Sequence, residues 1–205
     1  MAYIKWTLWG LFWLFIAAFF HYTLPQHDIG RITDTYEKRI DFGENSIFWS
    51  SPDVGNDTTT ANRDVFFIQT RLKNDEIMVY RNEDTGWGWP PYFKFDTSNL
   101  QAEAADMKSV AADPVWVKIT HYGWRNEFLS IFPNAVGVEI VADPDATIIP
   151  WFNIIVLVIF FAIVWAIRVR WIRFRENRID PLVDDVDEAW DSNTDRVRGW
   201  FGKRK

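Results

Sequence analysis

The three histidines of this chain are the side chains best suited to proton transfer or metal binding, and their neighbours decide what each could do. His121 precedes Glu127 by six residues, and a histidine and a glutamate that faced one cleft could act as an acid–base pair. The same two residues at the end of a strand more often form a structural ion pair. The sequence therefore favours a structural role for both, and it predicts no catalytic residue and no enzyme.

A metal site is the second kind of chemistry that the residue types allow. His21, His27 and Asp28 lie around Pro25, but the spacing of six residues between the histidines fits no standard ligand motif. Oxygen ligands for calcium stand in two other places, without the dense alternating acids of a known calcium loop: Asp53, Asn56, Asp57, Glu83 and Asp84. The chain has no cysteine, which excludes thiolate catalysis, cysteine metal sites and disulfides. We expect neither a metal nor a cofactor.

One segment, residues 85–96 with the sequence TGWGWPPYFKFD, is unusually rich in aromatic residues. Exposed indole rings bind the apolar faces of sugars or peptides, and two adjacent prolines stiffen the chain beside them. The same rings could instead pack against a helix near Leu100, or enter the outer leaflet of a membrane. We interpret the segment as a partner-binding loop with these candidate residues: Trp87, Trp89, Pro90, Pro91 and Tyr92.

The elements that must position these side chains begin with two apolar runs near the ends of the chain. Residues 6–24 and 148–167 are runs of 19 and 20 residues. At about 1.5 Å per residue each run makes a helix that matches a hydrocarbon core of about 30 Å. The first run could also be a cleaved signal, but no pair of small residues follows it as a cleavage site. We predict two transmembrane helices, the first an uncleaved anchor.

Basic residues after the second run predict the orientation of both helices. Arginines close to a span stay on the cytoplasmic side, and five follow the second run: Arg168, Arg170, Arg173, Arg175 and Arg178. The predicted organisation is therefore a cytoplasmic N-terminus (1–5), a first span (6–24), a periplasmic domain (25–147), a second span (148–167) and a cytoplasmic tail (168–205). Localisation in a bacterial inner membrane follows from it. The tail is expected to be partly helical from Asp180 and Pro181, docked on a neighbouring protein or disordered.

Charge is distributed unevenly between these regions. Residues 25–147 contain 20 acidic and 11 basic side chains, whereas residues 168–205 contain 8 acidic and 10 basic ones. Nucleic acid binds basic surfaces, so the acidic middle region argues against a nucleic-acid partner.

The two predicted spans carry small and polar residues that would let other helices approach closely. One stripe of the first span and one patch of the second form this helix-packing set: Thr7, Gly10, Leu14, Ala17, His21, Ala162 and Ala166. The two helices could pack on each other through it, or on another membrane subunit. Aromatic residues near the expected membrane–water boundaries form an interfacial belt: Trp6, Tyr22, Trp151 and Trp171.

Short alternating stretches broken by Gly, Asn, Asp and Pro indicate strands and turns in the middle region. Strands are predicted over residues 31–40, 64–72, 76–81, 92–95, 115–121, 128–132 and 135–141, with a hairpin between the second and third. A long loop is expected over residues 42–60. Ser98 and Gln101 read as a capping box for one helix over residues 100–112. The predicted class is α+β, a sandwich or small barrel of about six mostly antiparallel strands with one helix.

Five segments together resemble a known family: FWLFIAAFFHYTLPQHD, VFFIQTR, RNEDTGWGWPPYFKFD, HYGWRNEFLSIFPNAV and PWFNIIVLVIFFAIVW. Over about residues 1–178 the chain resembles the uncharacterised alphaproteobacterial inner-membrane proteins catalogued as domain of unknown function 1523. The resemblance implies an inner-membrane protein with an outward-facing domain, and it implies no activity and no site residues.

These observations lead to three hypotheses about function. The first is a membrane-anchored accessory or scaffold subunit that packs against a larger, energy-transducing inner-membrane complex, with the lipid bilayer and other membrane-protein subunits as partners. The second is a periplasmic module that binds a ligand or senses the envelope. The third is a cell-envelope hydrolase.

Overall fold

The computed structural model describes residues 2–41, 48–49 and 62–182. The chain divides into two compact units, Met1–Pro150 and Trp151–Lys205. In chain order the elements are α1 (Ala2–Thr23), β1 (Gln26–Asp41), β2 (Asn62–Leu72), β3 (Ile77–Asn82), α2 (Thr97–Asp106), β4 (Val117–Tyr122), β5 (Asn134–Ile140) and α3 (Trp151–Phe174). The calcium ligands considered at Asp53, Asn56 and Asp57 and the tail beyond residue 182 lie outside the described residues.

Five strands of the first unit close into a barrel in the order β1-β2-β3-β5-β4. Strand β1 closes the ring because residues 26–30 pair with β4 while residues 30–41 pair with β2, both antiparallel. β3 and β5 run parallel where Arg81 pairs with Asn134, and α2 lies between β3 and β4 in the chain. This is the topology of the OB-fold, a five-stranded Greek-key barrel. The predicted α+β class is confirmed, and the barrel alternative is the one observed.

Alternating side chains of the strands build the interior of the barrel. In β4, Val117, Ile119 and His121 point inward and are buried, while the residues between them are partly exposed. The apolar core also includes side chains from the other strands and from α2: Ile32, Ile68, Tyr80, Leu100, Ala104, Ala135 and Val138. A helix and five short strands thus share one core.

A second apolar cluster covers the outer face of β1, β2 and β3. Neighbouring residues of a strand point to opposite faces, so Phe67 leaves the barrel where Ile68 enters it. Phe67 stacks on Tyr36 with ring centroids 5.2 Å apart and meets the edge of Phe132 at 5.3 Å. Trp49 and Val65 complete the buried part of this cluster. The chain's own aromatic residues therefore cover the outer surface of the sheet here.

The predicted hairpin is confirmed, and several other strand predictions are wrong. β2 and β3 pair antiparallel around a turn in which Asp75 has φ 68°, and the side chain of Asn74 accepts a hydrogen bond from the Glu76 amide. Residues 92–95 form no strand, because Phe93 has φ 52° and cannot continue an extended chain. Residues 128–132 lie in a tight turn closed by an isolated bridge between Asn126 and Ile131. Within the described residues, the barrel therefore has five strands and a mixed sheet.

Helix α2 begins and ends earlier than the sequence predicted. Asp96 is its N-cap, and the Asp96 carboxylate accepts a hydrogen bond from the Asn99 amide at 3.1 Å. Asp is as good a cap as Ser, so the capping box expected at Ser98 loses to a residue two positions upstream. The helix ends at Asp106, and residues 107–116 form turns instead of the expected helical end.

Helices α1 and α3 are apolar around their whole circumference. Segments Tyr3–Thr23 and Trp151–Leu182 are long and apolar enough to cross a membrane, and neither buries its most apolar stretch within the protein. Helix α3 starts later and ends later than the apolar run predicted over residues 148–167. It begins after Pro150, since a proline ring is tolerated at a helix start but not inside one, and it continues because arginine is a good helix former. A π-helical turn, Arg175–Ile179, follows α3.

Candidate functional site

The candidate sites of the first unit are described outward from the junction between α1 and β1. Only Leu24 and Pro25 separate the helix from the strand. Tyr22, in the last turn of α1, is 7% exposed and is ringed by Trp124, Tyr92, Phe48 and Trp89, with centroid distances of 5.3, 5.6, 6.1 and 6.4 Å. Tyr22 was predicted as a membrane-interface aromatic. That role stays a prediction, and the buried side chain joins the end of the helix to the barrel.

A buried ion pair lies close to this group of aromatic side chains. Arg81 is buried on β3, and its Nη1 lies 3.1 Å from Oε2 of Glu83, which is also buried. The guanidinium group sits 5.1 Å from the ring of Trp49, within the range of a cation–π contact. Burial raises the pKa of Tyr92 far above its usual value, although the nearby positive charge of Arg81 acts in the opposite direction. Arg81 and Glu83 are only two residues apart, but their burial, which depends on distant residues such as Trp49, was not predicted from the sequence.

Lys94 is a second buried cation, 6% exposed, at the parallel junction of β3 and β5. Its Nζ donates to the carbonyl oxygen of Ala135 at 2.6 Å and to the side-chain oxygen of Asn82. Burial lowers the pKa of Lys94 to about 7, and the acids Asp84 and Glu83 only partly offset that effect. Lys94 thus supplies hydrogen bonds across a strand junction that has a single paired position, Arg81 with Asn134.

The predicted partner loop divides into an exposed part and a buried part. Trp87 is 82% exposed and packs on Phe93 and Phe95 at 5.5 and 5.3 Å. Trp89 is partly exposed, whereas Pro90 and Tyr92 are buried and Pro91 is half-buried. Pro90 and Tyr92 are therefore corrected to structural residues, since a partner cannot reach a buried side chain.

The exposed part of this loop is held in place by the chain itself. The Thr85 and Gly86 amides donate to the carbonyl oxygen of Lys94 at 3.1 and 3.0 Å, which joins the two ends of the loop. Trp87, Phe93 and Phe95 lie on this closed loop, and we call these three residues the aromatic platform.

A cleft of about 750 Å³ runs beside the aromatic platform. Three of its lining side chains are acidic, Asp64, Glu83 and Asp84, and its apolar lining includes Trp87 and Phe95. Asp84 also accepts a hydrogen bond from the hydroxyl of Thr97 at 2.7 Å, which fixes its position at the start of α2. The cleft thus combines negative charge with aromatic walls.

A smaller cavity of about 340 Å³ lies near the end of α1, and its lining includes His21, Asp28, His121 and Arg125. Nε2 of the buried His121 lies 3.0 Å from Oδ2 of Asp28, and the hydroxyl of Tyr80 donates to the same oxygen at 2.5 Å. Burial alone would raise the pKa of Asp28, but the contacts with His121 and Tyr80 outweigh burial, and that pKa lies below its usual value. We call this the mouth cavity.

The acid–base pair considered from the sequence does not form. His121 meets Asp28, while Glu127 is exposed and lies 3.8 Å from Nη2 of Arg125. The considered metal ligands are also engaged separately. His21 Nδ1 receives the Trp124 indole N–H at 2.8 Å, and His27 Nδ1 lies 3.1 Å from the Thr120 hydroxyl. Within residues 2–41, 48–49 and 62–182, no three His, Cys, Asp or Glu side chains are grouped so that they could hold a metal ion.

The helix-packing and belt residues stay predictions. Thr7, Gly10, Leu14 and Ala17 are exposed on α1, and Ala162 and Ala166 are exposed on α3. The hydroxyl of Thr7 donates to the carbonyl oxygen of Tyr3 at 2.9 Å within its own helix. Trp6, Trp151 and Trp171 are exposed as well. Exposure of this kind is what a contact with lipid or with another helix requires.

The fold and these sites define a class of protein: a small barrel of OB-fold topology joined directly to an apolar helix of membrane-spanning length and followed by a second such helix. A family model described as "Protein of unknown function (DUF1523)" matches residues 1–175. The chain belongs to this family.

One relative comes from Haemophilus influenzae (strain ATCC 51907 / DSM 11121 / KW20 / Rd) and is described as an uncharacterized protein. It is 40% identical to this chain over 144 residues, which is 69% of this chain and 78% of the relative. No solved structure matches the chain. The family resemblance is confirmed, whereas the alphaproteobacterial origin stays an expectation.

Proposed function

We propose that this protein is an accessory or scaffold subunit, anchored in the bacterial inner membrane, that packs against a larger, energy-transducing membrane assembly. The observation that carries the proposal is the aromatic platform. Its three rings are each at least half exposed, they pack on one another, and they stand on a loop that the chain closes by its own hydrogen bonds. Rigid exposed aromatic side chains are the residues that dominate binding energy in protein interfaces.

The proposed anchoring rests on α1 and on α3 with the helical turns that follow it. Both are apolar on all sides, and exposing such surfaces to water is strongly unfavourable. The cluster Arg168 to Arg178 supports a cytoplasmic tail and a periplasmic barrel by the positive-inside rule.

The chemistry of the cleft indicates what kind of partner segment would fit. The exposed Asp64 and Asp84 favour lysine or arginine, and Trp87 and Phe95 offer faces for an apolar or guanidinium group. An extended basic and apolar segment of a membrane subunit has both. The same acidic charge opposes nucleic acid, and on this barrel the strand face by which OB-folds bind oligonucleotides carries Phe67 and Tyr36 packed under the chain's own aromatics.

Copurification tests the proposal. The full chain, extracted in mild detergent, should migrate as part of an assembly much larger than 24.2 kDa. Trp87→Ala combined with Phe95→Ala should release it, whereas Ile77→Ala, which also shortens an exposed apolar side chain, should not. The scaffold proposal fails if the wild-type chain migrates alone at its own mass, or if both changes act alike.

The mouth cavity favours a second candidate function, a ligand-binding module. Nε2 of His121 faces Asp28, Nδ1 makes no hydrogen bond within the described residues, and this buried ring lines the cavity. A small ligand with hydroxyl groups could donate to the imidazole and to Asp28. The full chain in detergent should then melt at higher temperature with sugars or polyols present, and His121→Gln should abolish the increase. A screen without any increase would argue against this function.

A further inference from the structure

Two loops hold the last turn of α1, and each of them presents a tryptophan to it. The loop between β3 and α2 places Trp89 against Tyr22, with nearly parallel rings at 6.4 Å. The loop between β4 and β5 places Trp124 edge-on to Tyr22 at 5.3 Å and bonds its indole N–H to His21. The backbone of Gly123 adds a hydrogen bond to the carbonyl oxygen of Tyr22 at 3.1 Å. Both loops are therefore fixed at the height where the apolar helix ends.

Exposed apolar side chains are concentrated on these loops. Trp89 and Trp124 are both partly exposed, although they pack on the helix end. Beyond Trp124, the turn over residues 126–131 carries Phe128, which is fully exposed, and Leu129, which is nearly half exposed. We call Trp89, Trp124, Phe128 and Leu129 the interfacial collar. A fully exposed phenylalanine at the tip of a tight turn is unfavourable in water and needs a partner.

Simple geometry places the collar relative to a bilayer. A span of 21 residues, Tyr3–Thr23, is about 31 Å long at 1.5 Å per residue, which uses the whole hydrocarbon core of about 30 Å. The headgroup layer adds about 5–8 Å on each side. Ring centroids that lie 5.3 and 6.4 Å from Tyr22 are therefore within about one headgroup-layer thickness of the helix end.

We propose that the interfacial collar is embedded in the headgroup layer of the leaflet next to the barrel, where α1 ends, so that a lipid surface is the partner of this end of the barrel. Tryptophan prefers this layer because its ring is apolar and its N–H is polar. The charges of the turn, Arg125 and Glu127, balance each other, so anionic lipid does not repel it. The proposal rests on the membrane anchoring proposed above, and it adds that the barrel touches the bilayer instead of standing clear of it.

Because the chain contains no cysteine, single spin labels can be placed without ambiguity. The full chain is reconstituted in nanodiscs of phosphatidylethanolamine and phosphatidylglycerol, with a label at Glu127→Cys beside the collar. Ala112→Cys is the water control, since it precedes β4 at the end of that strand away from Trp124, about 20 Å along the chain direction. Ile155→Cys, exposed on α3, is the lipid control. The measured quantity is the ratio of collision rates with oxygen, which partitions into lipid, and with a water-soluble nickel chelate.

The ratio at position 127 should be severalfold higher than at position 112 and lower than at position 155. Adding Phe128→Asn and Leu129→Asn should bring the ratio at position 127 down to that of position 112. Equal ratios at 127 and 112, with position 155 in lipid, would overturn the collar and leave the anchoring intact. A water-like ratio at position 155 would overturn the anchoring and the collar together.

Discussion

The buried amine of Lys94 gives a pH dependence of stability that can be worked out from the structure. Burial lowers its pKa from 10.5 to about 7 in the folded state. Between these values the unfolded chain binds more protons than the folded one, so stability rises with pH. From pH 7.5 to pH 9.5 the free energy of unfolding should increase by about 2–3 kcal/mol from this group alone.

The pH window is chosen so that other perturbed groups contribute little. The pKa of Asp28 is lowered, so this group changes stability only at acid pH. Burial lowers the pKa of His27 below 6.5, so this group changes stability only below pH 7.5. Burial raises the pKa of Tyr80 and of Tyr92, so their unfavourable effect begins only near pH 10, where tyrosine ionises in the unfolded chain.

The assay is urea unfolding of the full chain in detergent micelles, followed by tryptophan fluorescence at several pH values. Lys94→Met should abolish the increase, even though it leaves two carbonyl oxygens without a donor at a cost of about 1–3 kcal/mol each, because that cost does not depend on pH. Lys108→Met, at a more exposed lysine, should keep the increase. A wild-type stability that is flat across the window, or a slope that survives Lys94→Met, would refute the argument.

Two further changes test the packing around the end of α1. Arg81→Met should destabilise the barrel by about 3–5 kcal/mol in the same unfolding assay, because it leaves Glu83 buried without its cation, and adding Glu83→Gln should restore part of the loss. Equal stability of Arg81→Met and of the double variant would show that loss of the ion pair does not cause the destabilisation. Gly123→Ala should cost about 1–3 kcal/mol, because this residue has φ 85° and its new Cβ would stand 2.8 Å from a tyrosine hydroxyl. Gly137→Ala is the matched control, because its new Cβ would have open space around it, and it should cost less stability than Gly123→Ala. An equal or larger loss for Gly137→Ala would contradict the reasoning.

Local patterns predicted the parts of this protein that depend on neighbours in sequence. The apolar runs predicted both long helices, and alternation around Lys73 to Asp75 predicted the β2–β3 hairpin. Pairings between distant segments left no such trace. Arg81 pairs with Asn134, 53 residues away, and Lys94 bonds to Ala135, 41 residues away, so these two contacts arise only when the barrel closes.

The errors at the candidate sites have a common physical origin. Tyr92 belongs to a pattern typical of an exposed loop, yet it is buried by aromatic residues from other segments, Tyr22 among them. Sequence spacing paired His121 with Glu127, whereas strand pairing of β1 with β4 brings it to Asp28 instead. Trp87, interpreted as part of an exposed partner-binding loop, is 82% exposed and packs on Phe93 and Phe95 of the same loop.

The barrel's topology has consequences for how function is argued. OB-folds commonly bind ligands on the outer surface of β2 and β3, but here Phe67 and Val65 on that surface are buried under other aromatics. Among the described residues, exposed aromatic side chains are instead found on the aromatic platform and the interfacial collar. A barrel joined to its helix through Tyr22 would present both surfaces in a fixed orientation.

Site-specific photocrosslinking in intact cells tests the partner surface most directly. A photoreactive phenylalanine analogue at Phe95, within the aromatic platform, should give one discrete crosslinked product that contains another membrane protein. The same analogue at Val110, also exposed but on the turns after α2, should give none. No product from position 95, or the same products from both positions, would contradict the account.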